Sequence, residues 1–172
     1  MYEDEIIITN NLVSRYYRPP EIFLGCSYDT KVDMWSFGCT IYELYTGKIL
    51  FPGKDNNEML KLIMQVKGKP NTKFIKRGKF SSLFFSESSN FDFLSIEQDP
   101  ISRKDYIKEV NVSLNPVKDL FSLLKSANNN PNDKALPVFK DFLDKCLMVD
   151  PNKRMSAVDA LCHPFIDINP RF

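Results

Sequence analysis

The sequence contains little of what a metal centre, a disulfide framework or a membrane span requires. It has a single histidine, and its four cysteines show no C-x-x-C spacing, so neither a zinc site nor a disulfide framework is expected. No apolar run approaches the roughly 20 residues that cross a bilayer. The acidic start, residues 1–5, lacks the charged-then-apolar pattern of a signal peptide. We therefore expect reduced core thiols in a cytosolic or nuclear protein, at Cys26, Cys39, Cys146 and Cys162.

An excess of charge of one sign is also absent. The 23 Lys and Arg residues are balanced by 22 Asp and Glu residues, which argues against direct nucleic-acid binding and against attachment to a membrane surface. What is present is an ordinary globular composition, 43% hydrophobic and 26% charged over 172 residues. This length predicts one domain, residues 1–172, with a sizeable core.

The clearest predicted element is a helix from Thr30 to Tyr45. Thr30 and Asp33 have the spacing of a capping box, with Asp in place of Glu, and Gly47 follows the end of the helix. The residues between them are apolar on nearly every side, which is typical of a buried central helix. Gly38 lies in its interior at a cost of roughly 1 kcal/mol relative to Ala, so a neighbour is expected to pack closely there.

Caps and apolar spacing predict five further helices. The first is a short helix at 21–24 ended by Gly25, and the second runs from Asp55 to Gly68 with an apolar stripe of Met59, Leu62, Ile63 and Val66. The third is started by Asn115 and Pro116 and carries residues 120–124. The fourth is opened by Pro137, and the last lies at 156–162. Between residues 67 and 113 no strong period appears, although residues 91–94 indicate a short strand. The predicted fold class is mainly α, with a central buried helix and a long insert between helices, and such an insert is typical of a functional element.

Three segments at long separation carry a more specific pattern. Residues 17–21 are Y-R-P-P-E, residues 33–38 are D-M-W-S-F-G, and residues 150–154 are D-P-N-K-R with H-P-F at 163–165. Each segment alone is a weak motif, but their order and spacing together are specific. They resemble the end of the activation segment, the central helix and the last helices of a protein kinase catalytic domain, and the resemblance covers residues 3–166.

Within the protein kinases, the sequence is most similar to the CMGC group. The similarity lies in residues 14–18 (S-R-Y-Y-R) and in the long insert. Residues 42–54 resemble the pre-mRNA-processing factor 4 kinase family, relatives of the dual-specificity Tyr-regulated kinases. The resemblance implies a Ser/Thr kinase that uses ATP and Mg²⁺ to phosphorylate protein substrates. It also implies pre-mRNA splicing as the process, splicing factors among the partners, and the nucleus ahead of the cytoplasm as the compartment.

The resemblance assigns roles to residues of the activation segment. It matches Ser14 to the residue whose hydroxyl bonds the catalytic base, and Arg18 to the arginine that shapes the pocket for the residue after the phosphorylated one. It matches Arg15 to an arginine that pairs with an activation-loop phosphotyrosine. The tyrosine expected there is Asn11, so activation by a phosphate at this position is not expected, and Thr9 remains at the threonine of the T-x-Y motif. Residue chemistry alone leaves open that both arginines are solvated loop residues.

A second set of residues has structural roles in the resembled family. Asp33 matches the aspartate that accepts hydrogen bonds from the catalytic loop, and a plain helix cap is its alternative. Trp35 and Gly38 belong to the same helix motif. Glu21 and Arg154 match residues that form a buried ion pair in kinases, and an Arg fork suits a carboxylate. The alternative for this pair is two separate surface charges.

The motifs that hold ATP and Mg²⁺ in kinases do not occur in the 172 residues. The sequence contains no G-x-G-x-x-G, H-R-D or D-F-G. We therefore expect the C-terminal part of a kinase catalytic domain, with no catalytic or metal-binding residue of its own and no activity when alone. The alternative is a non-catalytic helical interaction module derived from a kinase C-lobe.

The single histidine and a basic run in the insert are both expected to have no catalytic or binding role. His163 is expected to be a packed structural residue at the end of the last helix rather than a base or a ligand. The basic run from Lys67 to Lys79 is expected to be a solvated loop, ahead of a docking site for an acidic or RNA-bearing partner.

Overall fold

The computed structural model describes residues 12–113, 115–127 and 134–166. Helices dominate its regular structure, which confirms the predicted mainly α class. The helices are α1 (Pro20–Leu24), α2 (Lys31–Thr46), α3 (Asn56–Lys67), α4 (Thr72–Arg77), α5 (Leu120–Ala127), α6 (Leu136–Cys146) and α7 (Ala157–Leu161). The strands β1 (Phe93–Gln98) and β2 (Asp105–Val110) form an antiparallel hairpin. None of the described helices has the length and apolar character needed to cross a membrane.

Helix α2 is the element on which α5, α6 and a turn of 3₁₀ helix at 15–17 pack. Trp35, Cys39 and Tyr42 are buried along it. Gly38 lies so close to α6 that an added Cβ would be 2.9 Å from the Cβ of Cys146. The central position of this helix and the close contact at Gly38 are therefore confirmed.

Two details of the α2 prediction are wrong. Thr30 does not form a capping box, because its own backbone is helical (φ −59°, ψ −13°) and its side chain makes no capping bond. Asp29 instead accepts the N–H of Lys31 at 2.8 Å. Burial on every side is also wrong, since the exposed fractions of Phe37 and Leu44 are 43% and 80%. Helices α5 and α6 pack on α2, but Phe37 makes only an edge contact with Phe142 of α6, at 6.2 Å between ring centres, and most of Leu44 stays exposed.

The local signals for α3, α6 and α7 are confirmed. Asp55 accepts the N–H of Glu58 at 2.8 Å at the start of α3, and Gly68 follows its last residue. Ser156 and Asp159 form a reciprocal capping box at the start of α7. Helix α6 has the predicted proline in its first turn and buries Phe139, Phe142, Leu143 and Cys146.

Helix α5 starts later than predicted. Asn115 and Pro116 do not open it; the helix begins at Leu120, and Asp119 accepts the N–H groups of Phe121 and Ser122 at 3.2 and 3.0 Å. The N–H groups of residues 117 and 118 both donate to the carbonyl of Gln65 in α3 at 2.8 Å. This tertiary contact holds the preceding segment outside the helix.

The insert contains more regular structure than predicted. The strand indicated at 91–94 exists as β1, but α4 and β2 were not predicted. Asn71 caps α4 by accepting the N–H of Phe74 at 2.9 Å. The second edge of β1 is covered, because Leu94 donates to the carbonyl of Phe84 at 2.8 Å and the side chain of Asn57 in α3 bonds the backbone of residues 94 and 96. The hairpin is thereby fixed to α3.

The four cysteines are free thiols, as predicted. Cys26, Cys39 and Cys146 are buried. Cys162 is exposed, so its assignment to the core is wrong. It is the residue directly after the last residue of α7.

Candidate functional site

The segment before α1 divides into an exposed part and a buried part. Ser14 and Arg15 are exposed, whereas only 6% of the Arg18 surface is exposed. A single 3₁₀ turn from Arg15 to Tyr17 separates them, and Pro19 and Pro20 lead directly into α1. The turn therefore directs Arg18 inward while Arg15 remains at the surface.

The guanidinium of Arg18 holds the backbone of the residues before it. Its Nε donates to the carbonyls of Leu12 and Val13 at 3.0 and 3.1 Å, and its Nη2 donates to Val13 at 2.8 Å. Its Nη1 donates to Asn56 Oδ1 at 3.2 Å. The central carbon of the guanidinium, Cζ, lies 5.3 Å from the ring centre of Phe23. Burial lowers the pKa of Arg18 from its ordinary value, and the charge of Arg15 lowers it further. The solvated-loop alternative is therefore wrong for Arg18.

Val13 adopts a conformation that β-branched residues rarely take. Its φ is +68°, in the left-handed region, which is unfavourable for a valine. The bonds from Arg18 to its carbonyl offset this strain and point that carbonyl toward the protein. Sequence reasoning did not identify Val13 or Asn56, because no local pattern marks a left-handed valine or a partner 38 residues away.

Arg15 lies beside the same site. Its Nη1 donates to the carbonyl of Lys54. Together with Arg18 it lines a cavity of about 770 Å³ bounded by the start of α3 and by the hairpin. The structure therefore brings together the two arginines that the sequence singled out.

A further contact fixes the segment to α2. The Tyr17 hydroxyl donates to Glu43 Oε2 at 2.7 Å, and the Ser36 hydroxyl donates to the carbonyl of Tyr17 at 2.9 Å. The hydrogen bond to Glu43 raises the pKa of Tyr17. These bonds were not predicted, and they position the turn that carries Arg15 and Arg18.

Glu21 and Arg154 form the predicted buried ion pair. Arg154 Nη1 and Nη2 lie 2.5 and 2.8 Å from the two carboxylate oxygens of Glu21, and both side chains are fully buried. The alternative of two separate surface charges is wrong. The guanidinium also lies 5.2 Å from the ring centre of Trp35. The pair joins the end of the segment to the loop before α7, 133 residues later.

The roles that the sequence suggests for Asp33 and Thr9 stay predictions. Asp33 is exposed in the first turn of α2, and its role toward a catalytic loop stays a prediction. Thr9 and Asn11 lie outside the described residues, so the expectations about activation stay predictions too.

His163 and two lysines of the basic run bond groups within the chain. The buried ring of His163 bonds Asp141 Oδ2 through Nε2 at 2.9 Å and accepts the N–H of Phe165 through Nδ1 at 3.1 Å, as expected for a packed residue. Lys67 bonds Asp144 at 2.6 Å and Lys69 bonds the carbonyl of residue 90 at 2.7 Å. The solvated-loop interpretation is wrong for these two lysines.

The motifs that hold ATP and Mg²⁺ in kinases do not occur among the described residues. Among them, no group of three or more His, Cys, Asp or Glu side chains is placed to hold a metal ion. Arg15 and Arg18 are the cations of the candidate site, and both already donate to oxygen atoms of the chain.

Comparison with known proteins gives a consistent result. A family model described as the protein kinase domain matches residues 2–166. The chain is 44% identical over 160 residues to serine/threonine-protein kinase prp4 of Schizosaccharomyces pombe, covering 92% of the chain and 33% of that relative. It is 41% identical over 169 residues to serine/threonine-protein kinase prpf4B of Dictyostelium discoideum, covering 96% of the chain and 20% of that relative. It is 34% identical over 158 residues to dual specificity tyrosine-phosphorylation-regulated kinase 3 of Rattus norvegicus, covering 89% of the chain and 26% of that relative. The chain thus spans a third or less of each of these relatives.

Proposed function

This chain belongs to the protein kinase family, and on that premise we propose that it is the substrate-facing part of the C-lobe of a Ser/Thr kinase. The complete enzyme transfers the γ-phosphoryl group of ATP to a Ser or Thr hydroxyl of a protein. Mg²⁺ and ATP supply the charge neutralisation and the phosphoryl group, and residues outside this chain hold them. The relatives in the CMGC group, which include two Ser/Thr kinases and a dual-specificity kinase, support this proposal.

The observation that carries the proposal is the way Arg18 holds Val13. Because the Val13 carbonyl already accepts two N–H groups from Arg18, it points away from an incoming polypeptide. A substrate residue seated next to it, directly after the phosphorylated one, finds no acceptor for its backbone N–H. An unsatisfied N–H costs about 1–3 kcal/mol, and proline has no such group. The site therefore favours a Ser or Thr that is followed by proline.

A kinetic comparison on the full-length protein tests this preference. Peptides that contain Ser-Pro and Ser-Ala are phosphorylated, and kcat/KM is compared. We expect about a tenfold advantage for Ser-Pro, which corresponds to about 1.4 kcal/mol. Arg18→Lys should reduce this advantage, because a compact ammonium lacks the planar spread with which three guanidinium nitrogens reach separate acceptors. Arg77→Lys, the same change at an exposed arginine of α4, should leave it unchanged. Equal rates for both peptides in the unmodified protein would contradict the proposal.

We further propose that the complete kinase acts in pre-mRNA splicing in the nucleus. The support is the similarity to prp4 and prpf4B and the resemblance of residues 42–54 to that family. Fractionation of cells that express the tagged full-length protein tests this. We expect nuclear protein that co-purifies with splicing factors, and a strictly cytoplasmic protein would contradict it.

A non-catalytic helical module is the second candidate. It is favoured by the lack of H-R-D and D-F-G motifs in these 172 residues. The coding sequence upstream of residue 1 discriminates between the two: kinase motifs in frame support the enzyme, and a start codon at residue 1 supports the module.

A further inference from the structure

A cavity of about 770 Å³ lies beside Arg18 and has no role in the function proposed above. It is assembled from four parts of the chain that are distant in sequence. They are the segment before α1 with Arg15 and Arg18, the start of α3 with Asn56, a second 3₁₀ turn (Ser81–Leu83), and the hairpin with Ile96 and Asp105. The cavity is therefore continuous with the site that is proposed to receive the residue after the phosphorylated one.

One wall of the cavity is apolar and accessible. Leu83 and Ile96 are 62% and 46% exposed, although both are large aliphatic side chains. The hairpin register pairs Ile96 with Ile107, which is 68% exposed, so these two side chains project from the same face of the hairpin. The opposite face carries Ser95 and Glu97, whose side chains contact Lys61 of α3. The apolar face is thus the one that the fold leaves without a partner among the described residues.

The polar groups of the cavity already have partners inside the chain. Arg18 donates to two carbonyls and to Asn56 Oδ1, and Arg15 donates to the carbonyl of Lys54. Asp55 accepts the N–H of Glu58 as the cap of α3. Polar and apolar groups share the lining of the cavity about equally. Because most of the polar groups already have partners, burial of the apolar part, at Leu83 and Ile96, is the favourable contribution available to a ligand there.

We propose that this cavity is a second specificity subsite, which receives an apolar side chain of the protein substrate at least two residues after the phosphorylated Ser or Thr. The inference rests on the proposed function, because the direction of the substrate is taken from the Arg18 site. Continuity with that site favours the substrate chain itself as the occupant, since a polypeptide that leaves Arg18 along this surface meets Leu83 and Ile96 next. The ligand chemistry is a Leu, Ile, Met or Phe side chain on an extended segment.

A positional scan on the full-length protein tests the subsite. Each peptide carries a Ser-Pro core, and one Leu is placed in turn at each of the positions +2 to +6 counted from the phosphorylated Ser. A matched peptide carries Asp at the same position. We expect one position at which Leu raises kcat/KM about tenfold over Asp, from partial burial of a leucine side chain. Leu83→Glu and Ile96→Glu should each remove this preference while activity on the core peptide persists. Leu161→Glu, at a 70% exposed leucine of α7, is the control that should retain it.

A binding measurement separates failure of this inference from failure of the proposed function. A benzophenone-bearing residue replaces the preferred Leu, and crosslinked protein is digested to locate the attachment. Crosslinks to segments that contain Leu83 or Ile96 support the subsite even where no phosphate is transferred. Phosphorylation of the core peptide without any downstream preference, or a preference that both Glu variants retain, overturns the subsite and leaves the kinase function standing. Absence of both phosphorylation and crosslinks overturns both proposals.

Discussion

At the residue scale, Arg154 shows how a buried charge is accommodated. Its two terminal nitrogens bind Glu21, its Nε donates to the carbonyl of Met148 at 3.0 Å, and Nη1 also donates to the carbonyl of Lys31 at 2.9 Å. Removal of two ions from water costs several kcal/mol for each ion. The pair is tolerated because these bonds give each nitrogen of the guanidinium at least one acceptor. Loss of either partner leaves an uncompensated charge in the core.

Arg154→Ala and Glu21→Ala should each lower the free energy of unfolding by about 3–5 kcal/mol, a large part of an ordinary total of about 5–15 kcal/mol. Urea unfolding of the purified chain measures this. The double variant should lose less than the sum of the single losses, because the second substitution removes the stranded charge. Lys145→Ala is the control: its ion pair with Asp141 is about half exposed, so the expected loss is below about 1 kcal/mol. Urea midpoints for both buried-pair variants that match the unmodified chain would refute the argument.

The cysteines differ in reactivity because they differ in burial. Burial raises the pKa of Cys26 to about 11 and that of Cys146 to about 12, and it raises the pKa of Cys39 further. Since the thiolate is the nucleophile, a thiol-specific reagent at pH 7.5 should modify one residue per chain, Cys162. Cys162→Ser should abolish the fast reaction, and unfolding in urea should expose the other three. Rapid modification of more than one thiol in the folded chain would contradict this.

The same pKa shifts predict how stability depends on pH. The buried thiols stay protonated when folded, whereas unfolded thiols lose their protons near pH 9. The folded chain therefore binds more protons above this value, and its free energy of unfolding should fall as the pH rises from about 9 toward 11 or 12. Urea midpoints between pH 7 and pH 10.5 measure this. Stability that stays constant above pH 9 would show that the thiols titrate equally in both states.

At the element scale, the contact between α2 and α6 depends on one missing side chain. Gly38 lies in the interior of α2, and the neighbours of its absent Cβ are the Cβ of Cys146 at 2.9 Å and a methyl carbon of Leu147 at 3.0 Å. The Cβ of Cys146 belongs to the rigid frame of α6 and its end, so it cannot rotate away. A larger residue must therefore separate the two helices.

Gly38→Ala should destabilise the chain in spite of the higher helix propensity of alanine. Overpacking costs about 1–3 kcal/mol, and the propensity gain offsets at most about 1 kcal/mol. Thr40→Ala, at an exposed position of the same helix, should change stability by less than about 0.5 kcal/mol. Thermal unfolding of both variants provides the comparison. If Gly38→Ala raises the melting temperature, the close packing is not limiting.

At the scale of the whole molecule, the 172 residues contain the proposed receiving surface for a polypeptide but no H-R-D or D-F-G motif. Positioning of the phosphates and stabilisation of their charge provide nearly all of the catalysis in kinases. The chain alone should therefore neither bind ATP–Mg²⁺ nor transfer phosphate. Calorimetric titration with nucleotide and a radiolabel transfer assay measure this, with the full-length protein as the positive control. Saturable, Mg²⁺-dependent binding of ATP by the chain alone would contradict it.

The sequence by itself determined the elements whose signals are local. Helices α3, α6 and α7 were predicted because a cap, a proline or an apolar stripe within the helix specifies each of them. The Glu21–Arg154 pair was predicted through the resemblance, since both residues belong to motifs that can be recognised in a single chain.

Only the tertiary structure decided the features that depend on distant partners. The start of α5 depends on the carbonyl of Gln65, and the inner edge of β1 depends on the side chain of Asn57. The left-handed Val13 persists because Arg18 bonds its carbonyl, and Arg18 is itself held by Asn56. No local propensity encodes these conformations. Each is unfavourable or undefined in an isolated segment and becomes stable only when the folded chain supplies the missing hydrogen-bond partner.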